Sequence, residues 1–369
     1  MGHQETQLIV QAIGEKTRGS QPAQHYAGSV TVIQARDRLA DTVVMTLPTF
    51  RLHPGEPLGH GLKRLGVDAI DEAIRVFYDG DVPFGEAVHI ARKSTKKVRS
   101  LLRLVRFEVG EQVYRFENQW MRDTSRLLSA VRTSAVLVNG AQDIRDMYGP
   151  LLAEGTFDEV LGRLVVNRDR IEERVMEDPE IIPRVVSNLE RARGRYLSWS
   201  ADPEARPVYG IGLRNDYRAI GPGVNAMHAR GRREMVSAYR APGPESLHRW
   251  RKRVRYLERQ LEILTPLWPE VMIGMAMTLD RISELLGQDH DLAELLQALA
   301  DRPDLCPNPL ERALMTALAE QRRSDLQTAS RILGRRMYAE SPSAFTARLG
   351  AYWKAMELAR TTELVSLPA

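Results

Sequence analysis

The fold of this chain follows from two basic stretches, VHIARKSTKKVRSLLRLVR at residues 88–106 and SLHRWRKRVRYLERQLEILTPLWP at residues 246–269. In the first stretch the apolar residues recur every three to four positions, which is the spacing of one face of an α-helix. These apolar residues are Val98, Leu101, Leu102 and Val105. The same spacing continues from Leu52 onward and is interrupted by clusters of Pro and Gly. Because amphipathic helices bury their apolar faces against one another, the sequence predicts an all-α fold.

The two basic stretches also align with each other. His89-x-x-Arg-Lys matches His248-x-x-Arg-Lys at an offset of 159 residues, and residues 128–137 match residues 286–295 at an offset of 158. We therefore expect a duplicated chain with two helical bundles that are related by a pseudo-two-fold axis. The expected organisation is a flexible or partly extended arm (1–50), a first bundle (51–200), a second bundle (201–360) and a tail (361–369).

Positive charge is concentrated in the same two parts of the chain. Residues 88–132 contain 11 Lys and Arg against 4 Asp and Glu, and residues 201–260 contain 13 against 6, so each balance is +7. The whole chain of 369 residues carries only +4. Like charges repel when they follow one another along a helix face, and a bound polyanion would turn that repulsion into affinity. The alternative interpretation is a basic face that is merely solvated.

Composition excludes several other classes of protein. Cys306 is the only cysteine, which excludes an intramolecular disulfide and a zinc site built from cysteines. No apolar run approaches the roughly 20 residues of a membrane span, and the first residues lack the apolar core of a signal peptide. We therefore expect a soluble cytoplasmic protein with no membrane partner and no cofactor. The sequence does not determine its oligomeric state.

The chain resembles the CHAD family, the conserved histidine α-helical domain, over residues 51–357. Besides the two basic stretches, the resemblance rests on YRFENQWMRDTSRLLSAVR (114–132), LLGQDHDLAEL (285–295) and RILGRRMYAESPSAFTARLGAYW (331–353). It implies two helical bundles related by pseudo-two-fold symmetry, with a basic surface and channel between them, and it implies binding of inorganic polyphosphate with no established catalytic activity. Association with polyphosphate granules in the cytoplasm is a further expectation.

The resemblance also implies which residues bind the polymer. The family's histidines and basic residues fall on His89, Arg92, Lys93, Lys96, Lys97, Arg99, Arg103, Arg122, Arg126, Arg132, His248, Arg251, Lys252, Arg255 and His290. Thr133 stands where the family usually has Asp, which questions the ion pair that would hold Arg132. Residues 219–228 are interpreted as an insertion that reshapes one rim. Residues 1–50 lack the ExExK signature of triphosphate-tunnel domains, so we expect no such catalytic module.

Two other functions stay open at this point. A metal-dependent phosphohydrolase could use His290 and Asp291, with His248 and Asp325, to hold a divalent ion that activates water. A nucleic-acid-binding protein would instead place aromatic rings beside its cations for base stacking. Trp250 and Tyr256 are the available rings in the second basic stretch, although Trp250 falls on the apolar side of its helix.

Overall fold

Helices form nearly all the regular structure in residues 47–200 and 212–366, the parts of the chain that the computed structural model describes, with side chains to residue 361. Within these residues there is no strand, only one isolated bridge between Ser200 and Gly212. The predicted all-α fold is confirmed. The described residues also contain no helix that is long and apolar enough to cross a membrane. Of the predicted arm, residues 1–46 lie outside the described residues, and Phe50 at its end is buried in the core.

The first half of the described chain contains seven helices. They are α1 (Leu58–Arg75), α2 (Phe84–Leu104), α3 (Arg106–Val109), α4 (Glu111–Leu127), α5 (Ser129–Tyr148), α6 (Asp158–Glu177) and α7 (Ile181–Leu197). Val98, Leu101 and Leu102 of α2 are fully buried, as their helical spacing predicts. Gly110 separates α3 from α4 with a φ of 83°, a left-handed conformation that glycine adopts without steric cost.

The second half contains five longer helices. They are α8 (Gly221–Arg240), α9 (Pro244–Ile263), α10 (Pro269–Asp301), α11 (Pro309–Met337) and α12 (Pro342–Ser366). Four of them begin at a proline, whose fixed φ suits the first helical position and whose missing N–H is not needed there. The prolines that interrupt the apolar pattern therefore mark helix starts.

The helices of the two halves can be compared in chain order. In the first half, α1 and α2 are followed by α4 and α5 and then by α6 and α7. In the second half, the order is α8, α9, α10, α11 and α12, so that α10 stands where the first half has both α4 and α5. The main difference is a break at Leu128 that divides α4 from α5, whereas α10 runs without interruption for 33 residues. Across the halves, α2 packs against α9 and α5 packs against α10. The duplication, the pseudo-two-fold relation and the basic channel between the halves stay predictions.

Two hydrophobic cores hold these helices together. The larger core contains Leu102 of α2 and Trp250 of α9, together with residues of α1, α7, α8 and α12. The smaller core contains Ile144 of α5 and Leu295 of α10, together with residues of α6 and α11. Each core thus includes residues from before and after residue 200. Burial of apolar area at about 25 cal/mol per Å² makes such shared cores a strong connection between the halves.

Residues 219–228, interpreted above as an insertion, form the entry to α8 and its first turns. A Cβ atom on Gly223 would clash with the backbone carbonyl of Leu104, so glycine is what allows α8 to approach the end of α2. His228 is fully buried, and its ring stacks on Phe345 with a centroid distance of 4.4 Å. Burial lowers the pKa of His228 to about 4. The stretch is therefore a neutral packing element of the core.

Candidate functional site

A basic pocket of about 440 Å³ lies between α2, α5, α9 and the N-terminal part of α10. Seven of the fifteen predicted residues line it, namely His89, Arg92, Lys93, Lys96, Arg132, Arg251 and Arg255. Arg259 also lines it, although it was not among the predicted site residues. Ile273, Ala276 and Met277 of α10 form an apolar wall. The helical spacing of α2 explains the grouping, because residues three and four apart share one face.

Three cations form the centre of this pocket, and we call Arg92, Lys96 and Arg251 the cationic cluster. Among the described residues, none of the three makes an ion pair with a carboxylate. Arg92 donates through Nη1 to the backbone carbonyl of Ser125, while its Nε has no hydrogen-bond partner. Gly287 of α10 leaves room for Arg251, because a Cβ there would lie 2.9 Å from the guanidinium Nη2. The cluster therefore holds positive charge that no carboxylate of the described residues neutralises through an ion pair.

The pKa values of all three members of the cationic cluster are lowered. Lys96 is open to the pocket but crowded by protein atoms, and this desolvation, with repulsion from Arg251, Arg92, Arg132 and Arg255, lowers its pKa to about 7. Desolvation and neighbouring cations also lower the pKa of Arg92 to about 10. Desolvation lowers the pKa of Arg251 to about 10, although Asp291 opposes the shift. A bound anion would offset all three effects.

The other end of the pocket has a different arrangement, and we call Arg255, Arg259, Glu258, Glu262 and Asp280 the ion-paired end. The guanidinium of Arg255 lies 3.1 Å from Asp280 Oδ1 and 3.2 Å from Glu258 Oε2. The guanidinium of Arg259 lies 2.6 Å from Glu262 Oε2 and 3.4 Å from Glu258 Oε1. Glu258 is only 1% exposed, and burial raises its pKa to about 7 despite the two arginines. Cations and carboxylates neutralise one another here.

Arg132 connects the pocket to the opposite half of the chain. Its Nη2 donates to Asp291 of α10, with the ion pair measured at 3.3 Å. The doubt raised by Thr133 is therefore resolved, because a carboxylate 159 residues away in the chain supplies the partner. Both side chains are partly buried, with 25% and 18% exposed. The pair fixes Arg132 on the pocket wall.

The predicted histidines behave in two ways. His248 and His290 pack together beside the pocket, with ring centroids 4.1 Å apart, and neither lines it. Burial, together with nearby cations, lowers their pKa values to about 3 and about 4, so both rings are neutral near pH 7. His89 is exposed at the pocket, and partial burial lowers its pKa as well. The paired rings therefore support the surrounding helices without adding charge.

The remaining predicted residues do not line the pocket. Lys97 is ion-paired with Glu72 of α1 at 2.7 Å. Arg103 is nearly buried, and its guanidinium lies 3.8 Å from the ring centroid of Tyr256. Arg122 and Arg126 lie on the exposed surface of α4, where both contact Asp123.

Arg99 and Lys252 extend positive charge beyond the pocket. Arg99 donates to Asn118 at 3.1 Å, and Lys252 is exposed on α9. The charge of Arg99 affects the pKa values of both Arg92 and Lys252, so it lies within electrostatic range of each. The basic surface thus continues from the cationic cluster past Arg99 to Lys252.

The four residues of the metal hypothesis do not assemble into a site. In the described part of the chain no group of three or more His, Cys, Asp and Glu residues could hold a metal ion. Asp291 is ion-paired with Arg132, and Asp325 accepts a hydrogen bond from Gln321 one turn away. The two rings proposed for base stacking are not available to a nucleic acid either, because Trp250 is fully buried and Tyr256 is covered by Arg103.

Comparison with known proteins identifies the family of this chain. No curated protein matches the chain. A solved structure titled "PptA from Streptomyces chartreusis" is similar in fold, with a TM-score of 0.50 and 15% sequence identity over 77% of this chain and 100% of that chain. The family model of the CHAD domain matches residues 68–300, which is more than half of the chain. This protein therefore belongs to the CHAD-domain family.

Proposed function

We propose that this protein binds inorganic polyphosphate in the basic pocket and does not alter it chemically. The observation that carries the proposal is the cationic cluster, where Arg92, Lys96 and Arg251 face the pocket and, among the described residues, form no ion pair with a carboxylate. Family membership connects the chain with polyphosphate, and the pocket offers the matching chemistry. Polyphosphate presents a charge on every unit and no base edges, so arginine forks and a lysine point charge are suitable recognition groups.

The other predicted residues have supporting roles in this proposal. His89 and Lys93 lie at the pocket and would contact phosphates near its edge. Arg99 and Lys252 would extend the contact along the chain of the polymer. Arg103 and Lys97 would act through the surface potential, because their side chains already have partners. Arg122 and Arg126 would contribute only at longer range, and the neutral rings of His248 and His290 would support the helices that carry the pocket.

The pairing of the carboxylates supports a non-catalytic role. Hydrolysis needs a group that accepts a proton from water. Glu258, Glu262 and Asp280 all line the pocket, and each is held by Arg255 or Arg259. Such ion pairs engage oxygen atoms of all three carboxylates and stabilise their ionised forms, which makes them weaker bases than they would be without the arginines. A binder of this kind would collect on polyphosphate granules in the cytoplasm, which is the location we propose.

Calorimetry with polyphosphates of several chain lengths, at two salt concentrations, tests the proposal. We expect binding that weakens strongly with salt, because each neutralised phosphate releases condensed counterions. Excess duplex DNA should leave the complex intact, and loss of the complex would favour a nucleic-acid-binding protein instead. Release of phosphate by the purified protein with Mg²⁺ or Mn²⁺ would contradict the non-catalytic part. Absence of any binding at low salt would overturn the whole proposal.

A further inference from the structure

A second cavity lies outside the basic pocket, in an open groove between α4 and α7. Its volume is about 660 Å³, which falls within the range of about 300 to 1,000 Å³ that small-molecule sites occupy. Trp120 of α4 faces Asn188 of α7, and its Nε1 donates to the backbone carbonyl of that residue at 2.8 Å. One turn earlier in α4, Phe116 lies beside Arg195, about two turns later in α7. The two helices therefore run antiparallel along the groove, and among the described residues none lines both cavities.

Two aromatic rings at one end of the groove are held in position by a buried ion pair. The ring centroids of Phe116 and Trp120 lie 5.9 Å apart with the planes tilted by 30°, and Phe116 is 52% exposed. The guanidinium of Arg195 lies 5.1 Å and 4.7 Å from these two centroids. Arg195 in turn donates to Glu117 at 2.9 Å, and Glu117 is only 3% exposed. The rings therefore form a preformed platform on which a planar ligand can stack.

The α7 wall of the groove adds positive charge. Arg184 and Arg191 line it, both are exposed, and neither forms an ion pair with a carboxylate among the described residues. Arg191 is one turn from Arg195 and so lies beside the rings, whereas Arg184 lies about 10 Å further along the helix axis. Asp123 is the only acidic residue among the described lining residues, and two arginines of α4 pair with it at 3.0 Å and 3.3 Å. Arg184 and Arg191 are therefore available to bind phosphate.

A ligand that uses this whole groove carries both a planar ring and a phosphate. A 5′ nucleotide has both groups, joined by a ribose. Gln119 and Asn188 line the groove with amide groups, which can donate to and accept from the edge of a base, and Ser187 offers a hydroxyl to the ribose. Inorganic polyphosphate has no ring and would leave Phe116 and Trp120 without a partner. The groove therefore differs from the basic pocket in the chemistry that it recognises.

We propose that the groove between α4 and α7 binds a free nucleotide, at a site separate from the basic pocket. The base stacks on Phe116 and Trp120, and the 5′ phosphate binds Arg184 or Arg191. Proteins that hold single strands stack successive bases on several rings. The described residues of this groove present one pair of rings, which is enough for one base. The proposal does not depend on the polyphosphate function, because the two sites share no residue among those described.

Calorimetry with AMP on the full-length protein tests the proposal. AMP is the probe because it has a base and only one phosphate, whereas the triphosphate of ATP could also enter the basic pocket. We expect a dissociation constant below about 1 mM. Ribose 5-phosphate lacks the base and should bind at least about fivefold more weakly, since base stacking is lost. Absence of AMP binding at millimolar concentrations, or equal binding of ribose 5-phosphate, would overturn the proposal and leave polyphosphate binding intact.

A variant of the aromatic platform locates the bound base. Phe116→Ala should weaken AMP binding at least about fivefold, and the exposure of this ring means that the fold tolerates its removal. The matched control is Phe107→Ala, which removes another exposed phenylalanine that lies beside an arginine but outside the groove. It should leave the affinity for AMP unchanged. If both variants bind AMP like the wild type, the base does not stack in this groove, and the proposal fails.

A second pair of variants locates the phosphate. Arg184→Gln with Arg191→Gln should weaken AMP binding at least about tenfold, because charged hydrogen bonds are lost. The matched control is Arg233→Gln with Arg240→Gln, two exposed arginines with the same spacing on α8, and it should weaken binding less than about twofold. Equal loss in the two double variants would contradict a phosphate site in the groove. A single-stranded oligonucleotide that binds more than about tenfold tighter than AMP would assign the groove to a strand and overturn the proposal of a free nucleotide.

Discussion

The cationic cluster and the ion-paired end lie in one pocket and on partly the same helix, yet they differ in electrostatic state. In the cluster, desolvation and repulsion from neighbouring cations lower the pKa of Lys96 to about 7. At the ion-paired end, Arg259 has a raised pKa because Glu258 and Glu262 neutralise it, although it too is desolvated. The free protein gains stability from the second arrangement and loses some to the first. Anion binding should therefore reside in the cationic cluster, where repulsion between cations lowers the stability of the free protein.

The largest effect is expected from removing two members of the cationic cluster. The double variant Arg92→Gln with Lys96→Gln should weaken polyphosphate binding at least about 100-fold, since each charged hydrogen bond contributes about 1.5 to 3 kcal/mol. Because these cations repel one another, the melting temperature of the ligand-free protein should stay equal or rise. Calorimetric titration and thermal unfolding measure the two quantities.

A charge-matched control belongs with that variant. Arg122→Gln with Arg126→Gln also removes two positive charges, from residues that lie on α4 outside the pocket. We expect its affinity to fall less than about threefold, through the long-range field alone. Equal loss in the two double variants would mean that general charge, and not the pocket, determines binding.

A smaller contrast is expected between two arginines one turn apart on α9. Arg251→Gln should weaken binding by about tenfold or more with little change in stability. Arg255→Gln should weaken binding less but lower the free energy of unfolding, because Glu258 is buried and loses one of its two cations. Urea unfolding and calorimetry on the same preparations test the pair. If Arg255→Gln weakened binding more than Arg251→Gln, and Arg251→Gln lowered the free energy of unfolding more, the division of the pocket into a cationic cluster and an ion-paired end would be contradicted.

The dependence on pH comes next in size. Below pH 7 Lys96 is protonated in both the free and the bound protein, so affinity should not change through this group. Above pH 7 the free protein has lost this proton, and the bound phosphate restores it, so affinity should fall by at most about tenfold per pH unit. Arg92 and Arg251, whose pKa values are lowered only to about 10, keep their charges between pH 7 and pH 8.

The variant Lys96→Arg isolates this effect. It retains a positive charge at all these pH values, and the titration of the ligand is common to both proteins. The wild type should take up protons on binding at pH 8, detected by calorimetry in two buffers of different ionisation enthalpy, and Lys96→Arg should take up fewer. Equal proton uptake would exclude Lys96 as the titrating group.

The sequence predicts the helices of this protein well but the pocket only in part. Apolar spacing in α2 and α9, and prolines at the starts of α9 and α10, are local signals and need no knowledge of distant contacts. Lys96 and Lys97 look equivalent in the sequence. They differ because Glu72 of α1 reaches only Lys97, and this depends on how α1 packs against α2.

Distant contacts explain the other differences between prediction and structure. Arg132 finds its carboxylate in Asp291 of the other half, which no motif beside Thr133 could indicate. His248 and His290 are neutral near pH 7 because burial, together with nearby cations, lowers their pKa values. The group of the pocket that titrates near pH 7 is instead Lys96. In each case the partner or the desolvation arises from tertiary packing, which periodicity does not encode.

The smallest predicted effect concerns Glu258, where the two regions of the pocket influence each other. It lies about 10 Å along α9 from Arg251, and a unit charge at that distance contributes about 0.4 kcal/mol in water, or roughly a twofold change in affinity. Because its pKa is about 7, Glu258 is largely ionised at pH 8 and largely neutral at pH 6. Glu258→Gln should therefore raise affinity roughly twofold at pH 8 and leave it unchanged at pH 6. Competition titrations of wild type and variant in parallel can resolve this difference. A gain of equal size at both pH values would mean that Glu258 stays charged throughout and that the ion-paired end does not respond to pH.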